Sequence, residues 1–278
     1  MQSLMALILS QREEHGFVVG RRQDWVFIDW ADFDREGPLC AEQMLLAESL
    51  RVMARFAPEG ERESYEDLRQ TLLKEIERCF WDGERGAYID SFLSGKRHVT
   101  RHANILAILF DLADEKRKAL LTEGVLLNDQ IPAITTPYFR FFELEALCRM
   151  DRLEAVMEAI KSYWGGMLKL GAVTFWEEFD PDKPLEQQYE MYGDPFGKSL
   201  CHAWAASPIY LLARYFVGLR PLCPGGGEYE LRLQTRFFRK LDCRFPMGEK
   251  LLHIRLEDGR ESCEAELPAG ADERKFKK

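Results

Sequence analysis

Gly218-Leu-Arg-Pro-Leu-Cys-Pro-Gly-Gly-Gly227 separates two kinds of sequence pattern. Glycine and proline at this density suit neither a helix interior nor a central strand. Before it, apolar residues recur every three or four positions, the period of a helix packed on one face. After it they alternate. Tyr229, Leu231 and Leu233 interleave with polar residues, and so do Leu252, Ile254 and Leu256. Asp258-Gly259 then precedes Cys263, Ala265 and Leu267, which predicts a hairpin. The reading is a helical domain over 1–218 and a small β-sandwich-like module over 219–278.

Working back from the boundary, helices are predicted in pairs. The first spans 38–57, with Pro38 in its opening turn and Leu45, Leu46, Leu50, Val52 and Met53 as its buried stripe. The second spans 61–80, on Leu68, Leu72, Leu73 and Ile76, and is closed by a turn on Gly83 and Gly86. Others start near Thr100 and at 115. Thr136-Pro137 supplies a hydroxyl cap and a first-turn proline. Asp151 and Glu154 have capping-box spacing ahead of Leu153, Val156, Ile160 and Trp164. A last helix is expected over 199–216, bent at Pro208.

The segment 165–198 is too long for an ordinary connection and too aromatic for a solvated linker. It contains Gly171-Ala-Val-Thr-Phe-Trp-Glu-Glu-Phe-Asp180, together with Tyr189, Tyr192 and Phe196. An aromatic face beside carboxylates can stack a sugar ring and act at its anomeric carbon. The plainer alternative makes Phe175 and Trp176 core residues, with Glu177 and Glu178 a solvated rim.

Among 278 residues, 46% are hydrophobic and 31% charged, an ordinary globular balance. The net charge of −9 argues against nucleic acid or acidic lipid as partner, and no apolar run suggests a membrane span. The seven cysteines are scattered, without a CxxC pair, as free thiols in a reducing compartment would be. The five histidines are equally dispersed. The expectation is a cytoplasmic protein with no metal and no cofactor.

Several segments, taken in order, carry a family resemblance. They are Trp25-Val-Phe-Ile-Asp-Trp30, Phe80-Trp-Asp82, His102-Ala-Asn104, Thr135-Thr-Pro-Tyr-Phe139, Gly171 to Asp180, and Gly197-Lys-Ser-Leu-Cys-His-Ala-Trp204. Together they resemble bacterial α-L-rhamnosidases of glycoside hydrolase family 78, within the six-hairpin glycosidases. The resemblance implies a mainly α fold, a partial (α/α)6 toroid followed by the β module. It also implies inverting hydrolysis of terminal α-L-rhamnosides, in which a general acid and a general base stand roughly 6.5–9.5 Å apart. It carries the base onto Glu177, and substrate contacts onto His202 and the segment Trp25, Asp29 and Trp30. Trp176 is placed with these substrate contacts, though Trp176 and Trp204 both stay open between pocket floor and core. Read alone, Trp25 and Trp30 would be core aromatics, Asp29 a turn residue and His202 a buried structural histidine. His102 is expected to pack between hairpins.

The family's general acid lies in an acidic segment upstream of the Trp25 motif, and nothing in residues 1–24 matches it. The helices make only part of a ring, so an upstream polypeptide or self-association is expected to cover the open side, with a rhamnose-containing glycoside or oligosaccharide as ligand. Two alternatives remain: a non-catalytic carbohydrate-binding or assembly protein, and a six-hairpin glycosidase of different sugar specificity.

Overall fold

A computed structural model describes residues 2–19, 26–224, 228–247, 250–257, 260–265 and 276–277. The chain forms two compact units, Met1–Ala205 and Ala206–Lys278. In the first, α1 (Gln2–Leu9) precedes α2 (Cys40–Phe56) and α3 (Glu59–Phe80), followed by the short hairpin β1 (Trp81–Asp82) and β2 (Ala87–Tyr88). Then come α4 (Arg101–Leu109), α5 (Glu115–Leu121) running into a π-turn over Thr122–Leu126, α6 (Pro137–Arg149) and α7 (Leu153–Lys169).

Burial sorts these helices into two layers. Every residue of α4 is buried, and α6 is buried around most of its circumference. In α3 only Leu72, Ile76 and Phe80 are buried, and α7 is one-sided. Helix α2 packs on both α3 and α4, α4 on α6, and α6 on α7. Thus α2, α4 and α6 form an inner layer and α3, α5 and α7 an outer one. The inner layer is braced by polar groups that have partners. Asn104 on α4 donates to the Tyr88 and Thr100 carbonyls and accepts from the Tyr88 amide. Arg101 on α4 pairs with Glu143 on α6 at 2.6 Å and also donates to the Asn128 and Ile131 carbonyls.

Three helix ends close in the same way. Asp111, Asp151 and Gly171 have positive φ (55°, 55° and 87°) just past α4, α6 and α7. After each, the next amide bonds back five residues: Leu112 to Ala107, Arg152 to Leu147, and Ala172 to Met167. These are Schellman closures. They correct the capping box expected at Asp151. Its left-handed backbone ends α6, so its carboxylate does not cap α7, whose first flanking residue is Arg152 and has no side-chain cap. The Thr136 cap does form, its hydroxyl accepting from the Phe139 amide. Helix α2 starts two residues after Pro38, and Leu45 points outward. Residues 199–202 are not helical, because their backbone pairs with the 174–177 segment.

In the second unit, α8 (Ser207–Leu211) has Pro208 in its first turn, so proline starts this helix and does not bend it. A π-turn follows over Leu212–Phe216. Strands β5 (Lys240–Met247), β6 (Lys250–Glu257) and β7 (Arg260–Ala265) make an antiparallel sheet. Glu257 stands opposite Arg260, the register of a two-residue hairpin. Strands β3 (Leu219–Pro221), β4 (Tyr229–Leu231) and β8 (Phe276–Lys277) make a second sheet. Leu252 and Ile254 with Val217 form a core shared by Leu219 and Leu231 of one sheet and Leu241, Cys243 and Phe245 of the other. Gly218 (φ 76°) begins this unit's sheets, and a Cβ there would lie 2.1 Å from the Arg232 carbonyl oxygen. No described helix is long and apolar enough to cross a membrane. The six described cysteines are free.

Candidate active site

The site is built where 174–177 runs beside 199–202. The His202 amide donates to the Phe175 carbonyl at 2.8 Å, the Glu177 amide to the Ser199 carbonyl at 2.9 Å, and the Thr174 hydroxyl to the Leu200 carbonyl. This ladder joins the two segments that are separated in sequence. Behind it, the Tyr163 hydroxyl of α7 donates to the Thr135 carbonyl and accepts from the Phe179 amide. Gly166 leaves room for the Phe179 ring, since a Cβ there would lie 2.5 Å from it. Gln188 donates to the Asp180 and Lys183 carbonyls and pins the far side of the loop.

The two adjacent glutamates have different surroundings. Glu177 is 5% exposed. One carboxylate oxygen accepts from the Tyr192 hydroxyl at 2.8 Å, the other from the Ser199 amide at 3.0 Å. His202 Nδ1 stands 3.9 Å from the second oxygen. Trp204 donates to the Glu177 carbonyl, and its ring packs on His202 (4.3 Å) and stacks on Tyr138 (5.4 Å). Glu178 turns into a cavity of about 520 Å3, whose wall also includes Trp30, Thr135, Thr136, Lys183 and Tyr192. Lys183 bonds both Glu178 oxygens at 3.1 and 3.2 Å. Lys198, its side chain wholly buried, stands 3.4 Å away. Burial holds the Lys198 ammonium below its ordinary pKa, against the pull of Glu178.

Of the residues singled out from sequence, Glu177, His202 and Trp204 are brought together. Trp30 is exposed at the cavity, its ring 6.1 Å from that of Tyr192. Asp29 is 2% exposed and lies behind the wall, accepting from the Thr136 hydroxyl at 2.6 Å and meeting His102 Nε2 at 2.9 Å. Its contact with the cavity therefore runs through Thr136. Trp176, expected among the substrate contacts, is buried with its ring against Tyr189 and is not part of the cavity wall. Trp25 lies outside the described residues. His102 packs between the rings of Phe33 and Phe139. Among the described residues, no group of three His, Cys, Asp or Glu side chains could hold a metal ion.

Sequence reasoning did not assign Tyr192, Lys198 or Thr136 to the site. Thr136 is read as a helix cap within the Thr135–Phe139 motif, with no pocket role attached to it. Tyr192-Gly193 is a turn signal that gives no hint of where the phenol points.

Layered helical hairpins thus wall a cavity of about 520 Å3 close to a buried carboxylate. The chain belongs to the bacterial α-L-rhamnosidase six-hairpin glycosidase domain family, whose model matches residues 1–216. Among solved structures, the family 78 rhamnosidase of Bacillus sp. GL1 superposes with a TM-score of 0.76 at 24% identity, covering 90% of this chain and 27% of that one. A rhamnosidase from Klebsiella oxytoca with rhamnose bound gives 0.64 at 29% identity, over 77% and 41%. Streptomyces avermitilis α-L-rhamnosidase complexed with L-rhamnose gives 0.67 at 17% identity, over 93% and 25%. The chain thus spans about a quarter to two-fifths of the length of these proteins. Comparison with functionally curated proteins finds no match.

Proposed function

We propose that this chain carries the base side of an inverting α-L-rhamnosidase, with the sugar held in the cavity walled by Trp30, Glu178 and Thr136 and with Glu177, joined to that wall through the Tyr192 hydroxyl, as general base. The observation that supports this best is the state of Glu177. It is buried, accepts two hydrogen bonds and sits beside His202 and Trp204. Donors at both oxygens hold the carboxylate in a fixed orientation. His202 and Trp30 then contact the substrate, and Asp29 orients Thr136. The helical part through residue 218 is the catalytic module, and 219–278 is an appended β module. The K. oxytoca and S. avermitilis rhamnosidases bind rhamnose, which supports a rhamnoside as substrate here.

The general acid is supplied by another polypeptide segment, which also covers the open side of the helical layer. Without it the leaving oxygen goes unprotonated, so the chain alone is slow or silent. The test is hydrolysis of p-nitrophenyl α-L-rhamnopyranoside by the chain alone and mixed with the product of the immediately upstream coding region. Turnover in the mixture that falls about 10²–10⁴-fold in Glu177→Gln, with unfolding unchanged, supports the assignment. Full turnover in that variant would remove Glu177 from the mechanism.

A further inference from the structure

Tyr192 stands in a backbone conformation that its residue type disfavours. Residues 191–194 form a tight turn. The Met191 amide donates to the Asp194 carbonyl at 3.0 Å, and the Asp194 amide to the Met191 carbonyl at 2.9 Å. Both central residues have positive φ, 54° at Tyr192 and 77° at Gly193. That is the type I′ pattern, which favours Asn-Gly or Gly-Gly. A left-handed backbone is costly for a residue with a Cβ, less so for Asn. The turn is also packed closely from outside. A Cβ on Gly197 would lie 2.3 Å from the Met191 carbonyl oxygen.

The aromatic does not offset that cost by burial, since Tyr192 is 67% exposed. What it does is reach inward. Its hydroxyl donates to Glu177 at 2.8 Å, and its ring lies edge-on to Trp30 across the cavity wall. The bond to Glu177, with the carboxylate charge beside it, holds the phenol above its ordinary pKa. Strain of this kind persists where the surrounding structure imposes it, and it gathers at functional sites.

We propose that Tyr192 is a positioning residue: its hydroxyl fixes the Glu177 carboxylate, and its ring completes the wall that the sugar meets opposite Trp30. The inference rests on the reading of Glu177 as base in a sugar cavity. It assigns the 191–194 turn the task of assembling that site, because the turn brings together a carboxylate from one segment and an aromatic from another.

The test compares the chain with Tyr192→Phe and Tyr192→Asn by calorimetric binding of L-rhamnose and by thermal unfolding. Phenol ionisation is followed in the chain and in Glu177→Gln by NMR of ring-labelled tyrosine. Asn relieves the turn, so Tyr192→Asn is expected to unfold at or above the parent midpoint while losing about tenfold in affinity. Tyr192→Phe keeps the ring and stays within about threefold. In Glu177→Gln the raised phenol titration returns toward the ordinary tyrosine range. A turn residue with only a structural role would move the midpoint and leave binding alone. A lower midpoint in Tyr192→Asn with affinity kept therefore overturns the proposal, as does an affinity loss that tracks unfolding. An unchanged phenol titration in Glu177→Gln overturns it too. If the parent chain itself fails to bind L-rhamnose, the sugar-cavity reading falls. If it binds and both Tyr192 variants bind equally well, only the role of Tyr192 falls.

Discussion

Two of the places where charge is buried in the helical unit differ. Between α4 and α6, Arg101 and Glu143 form a compact pair whose guanidinium also reaches two backbone carbonyls. In the loop segment, Glu178 has two ammonium groups and an open cavity in front of it, and the buried Lys198 ammonium makes no hydrogen bond of good geometry. The first arrangement ties two helices together. The second sets a carboxylate and its ammonium partners at the wall of a cavity that a ligand can enter. Charge thus ties two helices together in one region and lines a cavity in the other.

Removing one partner from each pair should separate these roles. Glu143→Ala leaves Arg101 buried and uncompensated, and should cost about 3–5 kcal/mol in urea unfolding. A loss under about 1 kcal/mol would mean that the carbonyls alone satisfy Arg101. Lys198→Met is expected to behave differently. Glu178 keeps Lys183, and an ammonium already disfavoured by burial is replaced by an apolar chain of similar length. Stability should be unchanged or rise by about 1 kcal/mol. A loss as large as that of Glu143→Ala would erase the distinction between the two regions.

The same contrast governs what the sequence makes legible. The inner helices follow local rules. Apolar spacing marks α4 and α6, the Thr136-Pro137 cap is where the pattern puts it, and the alternation of Leu252, Ile254 and Leu256 places β6. The motif from Gly171 to Asp180 and the Gly197–Trp204 segment are recognisable as words. Their pairing is not, because the Phe175–His202 and Glu177–Ser199 hydrogen bonds join residues far apart along the chain. Glu177 and Glu178 are neighbours in sequence with different surroundings, and only the folded loop determines that Glu178 is the one at the cavity. Asp29 looks like a pocket residue, yet its carboxylate is taken up by Thr136 and His102, neither of which is near it in sequence.

The smallest expected effect compares two left-handed residues. Asp151 and Tyr192 have nearly the same φ, 55° and 54°. At Asp151 the conformation only ends α6. Its amide bonds to the Cys148 carbonyl, and the Arg152 amide to that of Leu147. Any residue that accepts the backbone would serve, and glycine accepts it best. Asp151→Gly trades left-handed strain against greater freedom of the unfolded chain, and should leave the protein about 0.5–1 kcal/mol more stable with L-rhamnose binding untouched. Chemical unfolding beside calorimetry checks both. If Asp151→Gly instead destabilised, the Asp151 side chain would be holding the turn, and the Schellman closure would be an incomplete account of how α6 ends. If it altered binding, left-handed strain at the two positions would not divide into architectural and functional kinds. The division then depends on what each side chain reaches: Tyr192 spans the loop to a buried carboxylate, whereas at Asp151 the backbone alone makes the connection.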